Sequence, residues 1–191
     1  MDFLEFEKIK TVDEKKYKIF SVVSETKKNP DGKNGEYVKI KSPDWVSAIV
    51  KITNRVYGYV LVKQYRHGAD KVLSEFPCGM VEEGETPLQA IIRECQEEIG
   101  ITENDIVAIR KLYEANPNPA FMNNKMTCYE IVLNEDFSVE DAKNNRNLDE
   151  NEFIAVELVQ HERVSEIMCE PDTSVMMKMA WASHLILTEI D

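Results

Sequence analysis

Residues Gly79 to Ile101 read GMVEEGETPLQAIIRECQEEIGI, and this stretch predicts one amphipathic helix entered through an acidic, glycine-punctuated loop. Thr86 is a good N-cap, Pro87 suits the first helical position, and Gln89 stands three residues after Thr86, as a capping box requires. Gly100 supplies a left-handed stop. Between them Leu88, Ile91, Ile92, Cys95 and Ile99 fall on one stripe at helical spacing, which predicts a face turned to the core. At about 100° per residue, Glu94, Glu97 and Glu98 gather on a different sector, centred roughly 120° from the apolar one.

Three acids at i, i+3 and i+4 repel one another, and the local relief is Arg93, one turn before Glu97. Two readings follow. An acidic helix face is often just solvated. Alternatively the cluster is a platform for a hard divalent cation such as Mg²⁺ or Mn²⁺, which prefers carboxylate oxygens and tolerates bridging phosphate oxygens.

With its loop, the stretch resembles the signature of the Nudix hydrolase family: Gly, five residues, Glu, seven residues, then Arg-Glu-aliphatic-x-Glu-Glu-x-Gly-aliphatic. Gly79, Glu85, Arg93, Glu94, Glu97, Glu98, Gly100 and Ile101 match it. Cys95 departs from the aliphatic preference, but free Cys behaves as a small hydrophobe and lies on the predicted buried stripe. The resemblance implies an α+β fold, an α/β/α sandwich with a mixed sheet, preceded here by a small N-terminal antiparallel β-hairpin region. It also implies Glu94, Glu97 and Glu98 as catalytic metal ligands, with Arg93 orienting them.

The 191 residues suit one domain of ordinary size, and Lys41-Ser42-Pro43-Asp44 marks a boundary between a hairpin region, 1–43, and a main domain, 44–191. Lys and Arg total 23 against 35 Asp and Glu, a formal charge of −12, which argues against nucleic acid or an anionic membrane as partner. Cys78, Cys95, Cys128 and Cys169 are scattered without a CxxC, so neither a zinc site nor a disulfide framework is suggested and a reducing cytoplasmic setting is expected. No leader pattern opens the chain, and no uninterrupted apolar span approaches about 18 residues.

Around the signature the chain reads mostly as strands. Tyr17 to Val23 and Glu36 to Ile40 flank the turn formers NPDGKNG and predict a hairpin; Val46 to Ile52 and Tyr57 to Tyr65 predict a second pair. Val72 to Phe76, Ile106 to Tyr113, Met126 to Leu133 and Phe153 to Val159 are further strands. Glu114 to Lys125 is a long proline-bearing loop. Asn134 to Glu152, acidic and short of apolar anchors, predicts a mobile loop that closes over the site. Thr173 to Ile190 predicts a helix whose stripe Val175, Met176, Met179, Ala182 and Ile186 packs in the core.

Outside the signature the chain is similar to the ADP-ribose and nucleoside-diphosphate-sugar pyrophosphatase branch of the family. Gln64-Tyr65-Arg66 resembles a strand ending in Gln-x-Arg, which implies Arg66 as a substrate contact. Glu75-Phe76-Pro77-Cys78-Gly79 resembles a Glu-x-x-Ala-Gly entry, implying a substrate-side role for Glu75 and a backbone carbonyl of Cys78 as metal ligand. Glu150 and Glu152 resemble a Glu-x-Glu pair ahead of a strand, implying Glu150 as base and Glu152 as metal partner. Pro117 and Pro119 both satisfy the spacing of a substrate-side proline, and Pro119 is taken as the substrate contact that the resemblance implies.

The implied reaction is Mg²⁺- or Mn²⁺-dependent cleavage of ADP-ribose or another nucleoside diphosphate sugar, by a homodimer. Phe20, Tyr37 and Trp45 are candidates for an aromatic wall around the base. The competing readings are a Nudix hydrolase for dinucleoside polyphosphates, coenzyme A or oxidised nucleoside triphosphates, and a non-catalytic nucleotide-sensing module.

Overall fold

The computed structural model describes residues 4–56 and 58–190, with the side chains of 189 and 190 left aside. The chain divides into two compact units. The first ends at Pro43 and takes in Asn116–Lys125; the second is Asp44–Ala115 with the chain from Met126 onward.

The first unit is a three-stranded antiparallel sheet in the order β1 (Glu7–Lys16), β2 (Ser21–Lys28), β3 (Asn34–Lys41). The predicted hairpin is β2 and β3, turned by Asn29, whose Oδ1 accepts from Lys33 N at 2.8 Å, and by Gly32 at φ +80°. Strand β1 is an addition: EKIKTVDEKK has no alternation and every residue is exposed, so it holds its shape by pairing with β2. Residues 17–20, predicted as strand, form the turn instead. Glu25 is buried in this sheet between Lys8 Nζ at 2.7 Å and Lys39 Nζ at 2.9 Å, which hold its carboxyl down at about 2. The long loop beyond residue 115 also belongs here: Ile40 N donates to Phe121 O at 2.7 Å, and Asn123 N to Ile40 O. It serves as an extra edge to β3.

The second unit is built on a seven-stranded mixed sheet. Its path is β10 (Ile154–Val159), β5 (Tyr59–Arg66), β4 (Trp45–Ile52), β9 (Met126–Leu133), β8 (Ile106–Ala115), with β6 (Lys71–Glu75) beside β5 and β7 (Cys78–Met80) beside β4. The β4–β9 pair is parallel along its whole length and the others are antiparallel. The second strand of the predicted second pair starts at Tyr57, which lies outside the described residues. Strand β4 is buried almost continuously, as a central strand covered on both faces must be.

Alternation along the strands sends side chains to two cores. Val46, Ala48, Val50, Val60, Val62, Tyr129 and Ile131 pack with Ile91, Cys95 and Ile99 of α1 (Pro87–Ile99). Ile49, Leu61 and Cys128 pack with Val164 and Ile167 of α3 (His161–Cys169) and Met177 and Trp181 of α4 (Val175–Ile190). The result is a helix layer on each face of the sheet.

Three expectations are corrected by this packing. In α1, Leu88 is 42% exposed while Ala90 and Glu98 are buried, so the buried arc is rotated toward the acids. In α4, Val175, Met179 and Ile186 are exposed, and the core takes Met176, Met177, Ala180, Trp181 and His184. That helix is apolar nearly all round, so its periodicity selects no face. The acidic segment 134–152 does have anchors: Phe137 and Ala142 are buried in the α1 core, and Val139 and Leu148 pack against it, with a short helix α2 (Val139–Ala142) between. Asn147 N also donates to Glu97 O at 3.2 Å, tying this segment to the last turn of α1.

Candidate active site

Helix α1 starts and stops as its residues dictate. Gln89 N donates to Thr86 Oγ1 at 3.3 Å and Thr86 N to Gln89 Oε1 at 2.9 Å, completing the capping box, and Gly100 closes the helix at φ +79°. A Cβ at Gly100 would lie 2.0 Å from Ala142 O, so glycine is required twice over. At the other end of the stretch, a Cβ at Gly79 would lie 1.9 Å from the Glu94 carboxyl carbon. The β7 backbone therefore passes directly beside the acids because residue 79 has no side chain.

Arg93 organises the outer edge of the cluster. Nε and Nη2 donate to the two Glu85 oxygens at 2.8 and 3.0 Å, Nη1 donates to Glu94 at 2.9 Å and Glu97 at 3.0 Å, and Nη2 also reaches Met80 O at 2.9 Å. All five guanidinium donors are used. The entry loop and the helix are thus pinned to one planar cation, with Glu85, eight residues before Arg93, as the bidentate partner.

Glu98 lies deeper, 2% exposed, and its Oε2 accepts from Cys78 N at 3.2 Å. Burial, and then the neighbouring charges of Glu94 and Glu152, push its carboxyl up to about 9. Burial likewise raises Glu94 to about 7 against the pull of Arg93. Like charges crowded out of water favour the protonated acid unless a cation joins them.

On the β5 side, Gln64 Nε2 donates to Glu152 Oε1 at 3.2 Å. Arg66 Nε donates to Glu75 Oε2 at 2.5 Å and its Nη2 to Cys78 Sγ at 3.2 Å. Burial pushes the Cys78 thiol well up, leaving it neutral. The structure thus gathers Arg66, Glu75, Cys78, Arg93, Glu94, Glu97, Glu98 and Glu152 around one end of α1 and the β7 turn. Glu150 is exposed, and the charges weighing most on Glu94 and Glu98 include Glu152 but not Glu150. Pro119 belongs to the first unit, where it lines a cavity of about 240 Å³ with Lys27, Tyr37, Lys39 and Phe121. Glu85 and Gln64 were visible in the matched motifs without a role.

Among the described residues no three His, Cys, Asp or Glu side chains stand ready as a metal cage. Residues 42–179 match the NUDIX domain. The chain belongs to the Nudix hydrolase family. Within it, the chain is 31% identical over 139 residues to the ADP-ribose pyrophosphatase of Bacillus subtilis (strain 168), covering 73% of this chain and 70% of that one. It is 29% identical over 139 residues to the methanol dehydrogenase activator of Bacillus methanolicus, covering 72% and 70%. A solved structure described as an ADP compounds hydrolase shares the fold, with a TM-score of 0.73 over 97% of this chain and 96% of that one, at 16% identity. The Nudix signature residues are therefore the ones the fold collects, and the chain is a Nudix pyrophosphatase similar to members of the ADP-ribose branch. No helix among the described residues is long and apolar enough to cross a membrane.

Proposed function

We propose that this Nudix chain hydrolyses the pyrophosphate bond of ADP-ribose or another nucleoside diphosphate sugar, giving a nucleoside monophosphate and a sugar phosphate. The observation that carries the reading is the placement of Glu94 and Glu98, half-buried and buried beside the Cys78–Gly79 backbone, with Arg66 held at the rim by Glu75. The donor set is all hard oxygen, carboxylates plus a main-chain carbonyl, and it fits Mg²⁺ or Mn²⁺ better than a soft metal. Glu94, Glu97, Glu98, Glu152 and the Cys78 carbonyl would hold such an ion, which supplies Lewis-acid polarisation of phosphate oxygens.

The chain's own groups do the rest. Arg93 fixes the helix acids against the entry loop, and Arg66 offers a positive charge to the diphosphate. In hydrolysis the water oxygen bonds to phosphorus, the bridging P–O bond breaks, and the leaving phosphate departs as an anion. The water's proton goes to a carboxylate, for which Glu150 is the candidate, a contribution of about 10² to 10⁴ in rate. Glu150→Gln and Glu152→Gln, measured separately, place that role: wild-type turnover in both would move the base into α1.

A substrate panel tests the reading. ADP-ribose, ADP-glucose, UDP-glucose, GDP-mannose, diadenosine polyphosphates and 8-oxo-dGTP are scored by phosphate release after phosphatase coupling. A diphosphate sugar is expected to lead, and preference for a triphosphate or dinucleoside polyphosphate would overturn the substrate. The aromatic and lysine-lined cavity of the first unit supports a base-binding role for residues 1–43. The exposed Ile9, Val12 and Tyr37 of the same sheet, with Phe6 just ahead of β1, support a homodimer, which a monomer in micromolar sedimentation would refute. The four free thiols fit a cytoplasmic setting, and export of the protein in fractionated cells would contradict it.

A further inference from the structure

Along β5 one face changes its character within eight residues. Val60 and Val62 point into the α1 core, and the same alternation carries Gln64 and Arg66 onto that face at its polar end. In register Gln64 pairs with Ile154 of β10 on one side and Leu73 of β6 on the other, so its main chain is fixed by two neighbouring strands. Its side chain is free of that task. Glu152 lies two residues ahead of Ile154 on the approach to β10. Its own N–H closes a turn onto Asp149 O at 2.9 Å, and Ile154 O accepts from Arg146 Nη2 at 2.7 Å. The main chain of the arm is thus held by hydrogen bonds on either side, and Gln64 Nε2 donates to the Glu152 carboxylate.

We propose that Gln64 is the positioning residue that aims the Glu152 carboxylate at the acids of α1. The choice of a neutral amide has a physical reason. An Arg or Lys at residue 64 would form a stronger bond to Glu152, as Arg93 does to Glu85, but it would place a positive charge where the acids must accept a divalent cation. An amide N–H fixes Oε1 and leaves Oε2 and the full negative charge available. Arg93 stands on the outer edge, where its charge relieves the repulsion of Glu94 and Glu97. Partners of this kind, one bond behind a ligating carboxylate, typically change metal affinity or activity by about 10- to 100-fold when removed. The inference rests on the reading of Glu152 as part of the site.

The test uses the full chain and the variants Gln64→Leu, Glu152→Gln and the double variant, with kcat and KM on the preferred diphosphate sugar, Mn²⁺ affinity of the substrate-free protein by titration calorimetry, and thermal melting. Gln64→Leu is expected to lower kcat about 10- to 100-fold with KM within about twofold, to weaken Mn²⁺ binding about tenfold, and to melt near the parent. Added to Glu152→Gln it should change neither further. Should Gln64→Leu fail to fold, Gln64→Met, unbranched and of the same reach, carries the same test. Full additivity with an impaired Glu152→Gln overturns the role of Gln64 and leaves that of Glu152 standing. Wild-type kcat and Mn²⁺ affinity in Glu152→Gln overturn both.

Discussion

Helix α1 and helix α4 cover opposite faces of one sheet, yet they use their polar residues in opposite ways. In α1 the acids gather at one edge, Glu98 is buried with Cys78 N as its hydrogen-bond donor, and the neighbouring Arg93 is spent on Glu85, Glu94 and Glu97. In α4 the buried polar group is His184, which is fully partnered: it bonds Glu130 through Nδ1 and Tyr59 Oη through Nε2 at 2.9 Å, and its ring stacks on Trp181. Lys51 and Arg110 complete the charge around Glu130 at 3.4 and 3.1 Å. The difference separates a site from a scaffold. A buried carboxyl crowded by like charges is poised for chemistry, whereas a polar group with every bond made locks a helix in place.

The largest effect expected from this contrast is on turnover. Glu98→Gln and Glu94→Gln should each lower kcat by about 10² to 10⁴, several kcal/mol of transition-state stabilisation, while the protein melts at or above the parent temperature because repulsion is relieved. Circular-dichroism melts beside steady-state assays check it, and a variant that unfolds would return α1 to a purely structural role. Chelation with EDTA should abolish activity to the same extent.

Next in size, Trp181→Ala should destabilise the fold by about 3 to 5 kcal/mol with kcat near the parent at low temperature, because Trp181 is 4% exposed and packs on Tyr59, His161 and His184. Denaturant titration measures the loss. A large fall in kcat in the folded variant would break the separation.

A pH effect sharpens the same point. Burial alone would raise Glu130, but the His184 hydrogen bond and the charges of Lys51 and Arg110 outweigh it and hold the carboxyl down at about 2. A carboxyl depressed in the folded state contributes stability above its ordinary value near 4.5, lost as pH falls from there toward 2. The drop in stability from pH 5 to pH 3 should shrink in Glu130→Gln relative to the parent, compared by urea titration; an equal drop would show that other carboxylates carry it.

The smallest effects belong to apolar residues that the periodicity assigned to cores and the fold left outside. Leu88→Ser and Met179→Ser should each change stability by no more than about 0.5 kcal/mol. A change of 2 kcal/mol at either would mean that a partner covers it.

Much of the fold lay open in local chemistry. The α1 caps at Thr86 and Gly100, the β9 span, the turn around Gly32 and the order of strands around the signature were legible because caps, turns and alternation act within a few residues. Strand β1 was not, since a run of charges on both faces has no pattern and becomes a strand by pairing with β2. Helix α3 was passed over for the same reason of weak local signal. The acidic segment was misjudged because Phe137, Ala142 and Leu148 are sparse in sequence, and only their convergence on the α1 core makes them anchors.

For the site, the residue types and spacing of the signature determined by themselves that Glu94, Glu97, Glu98 and Arg93 share one edge of a helix, because an α-helix fixes which residues are neighbours over i, i+3 and i+4. They also determined that Gly100 is a glycine for a backbone reason, whereas the need for one at residue 79, where β7 passes beside Glu94, came from the tertiary structure. Tertiary structure alone decided that Arg93 turns back to Glu85, that Glu98 rather than Leu88 enters the core, and that Gln64 on β5 meets Glu152 across 88 positions of chain. Those contacts come from strand order and from the rotation of α1 on its sheet. Both are settled by how apolar surfaces fit together, which no local spacing encodes.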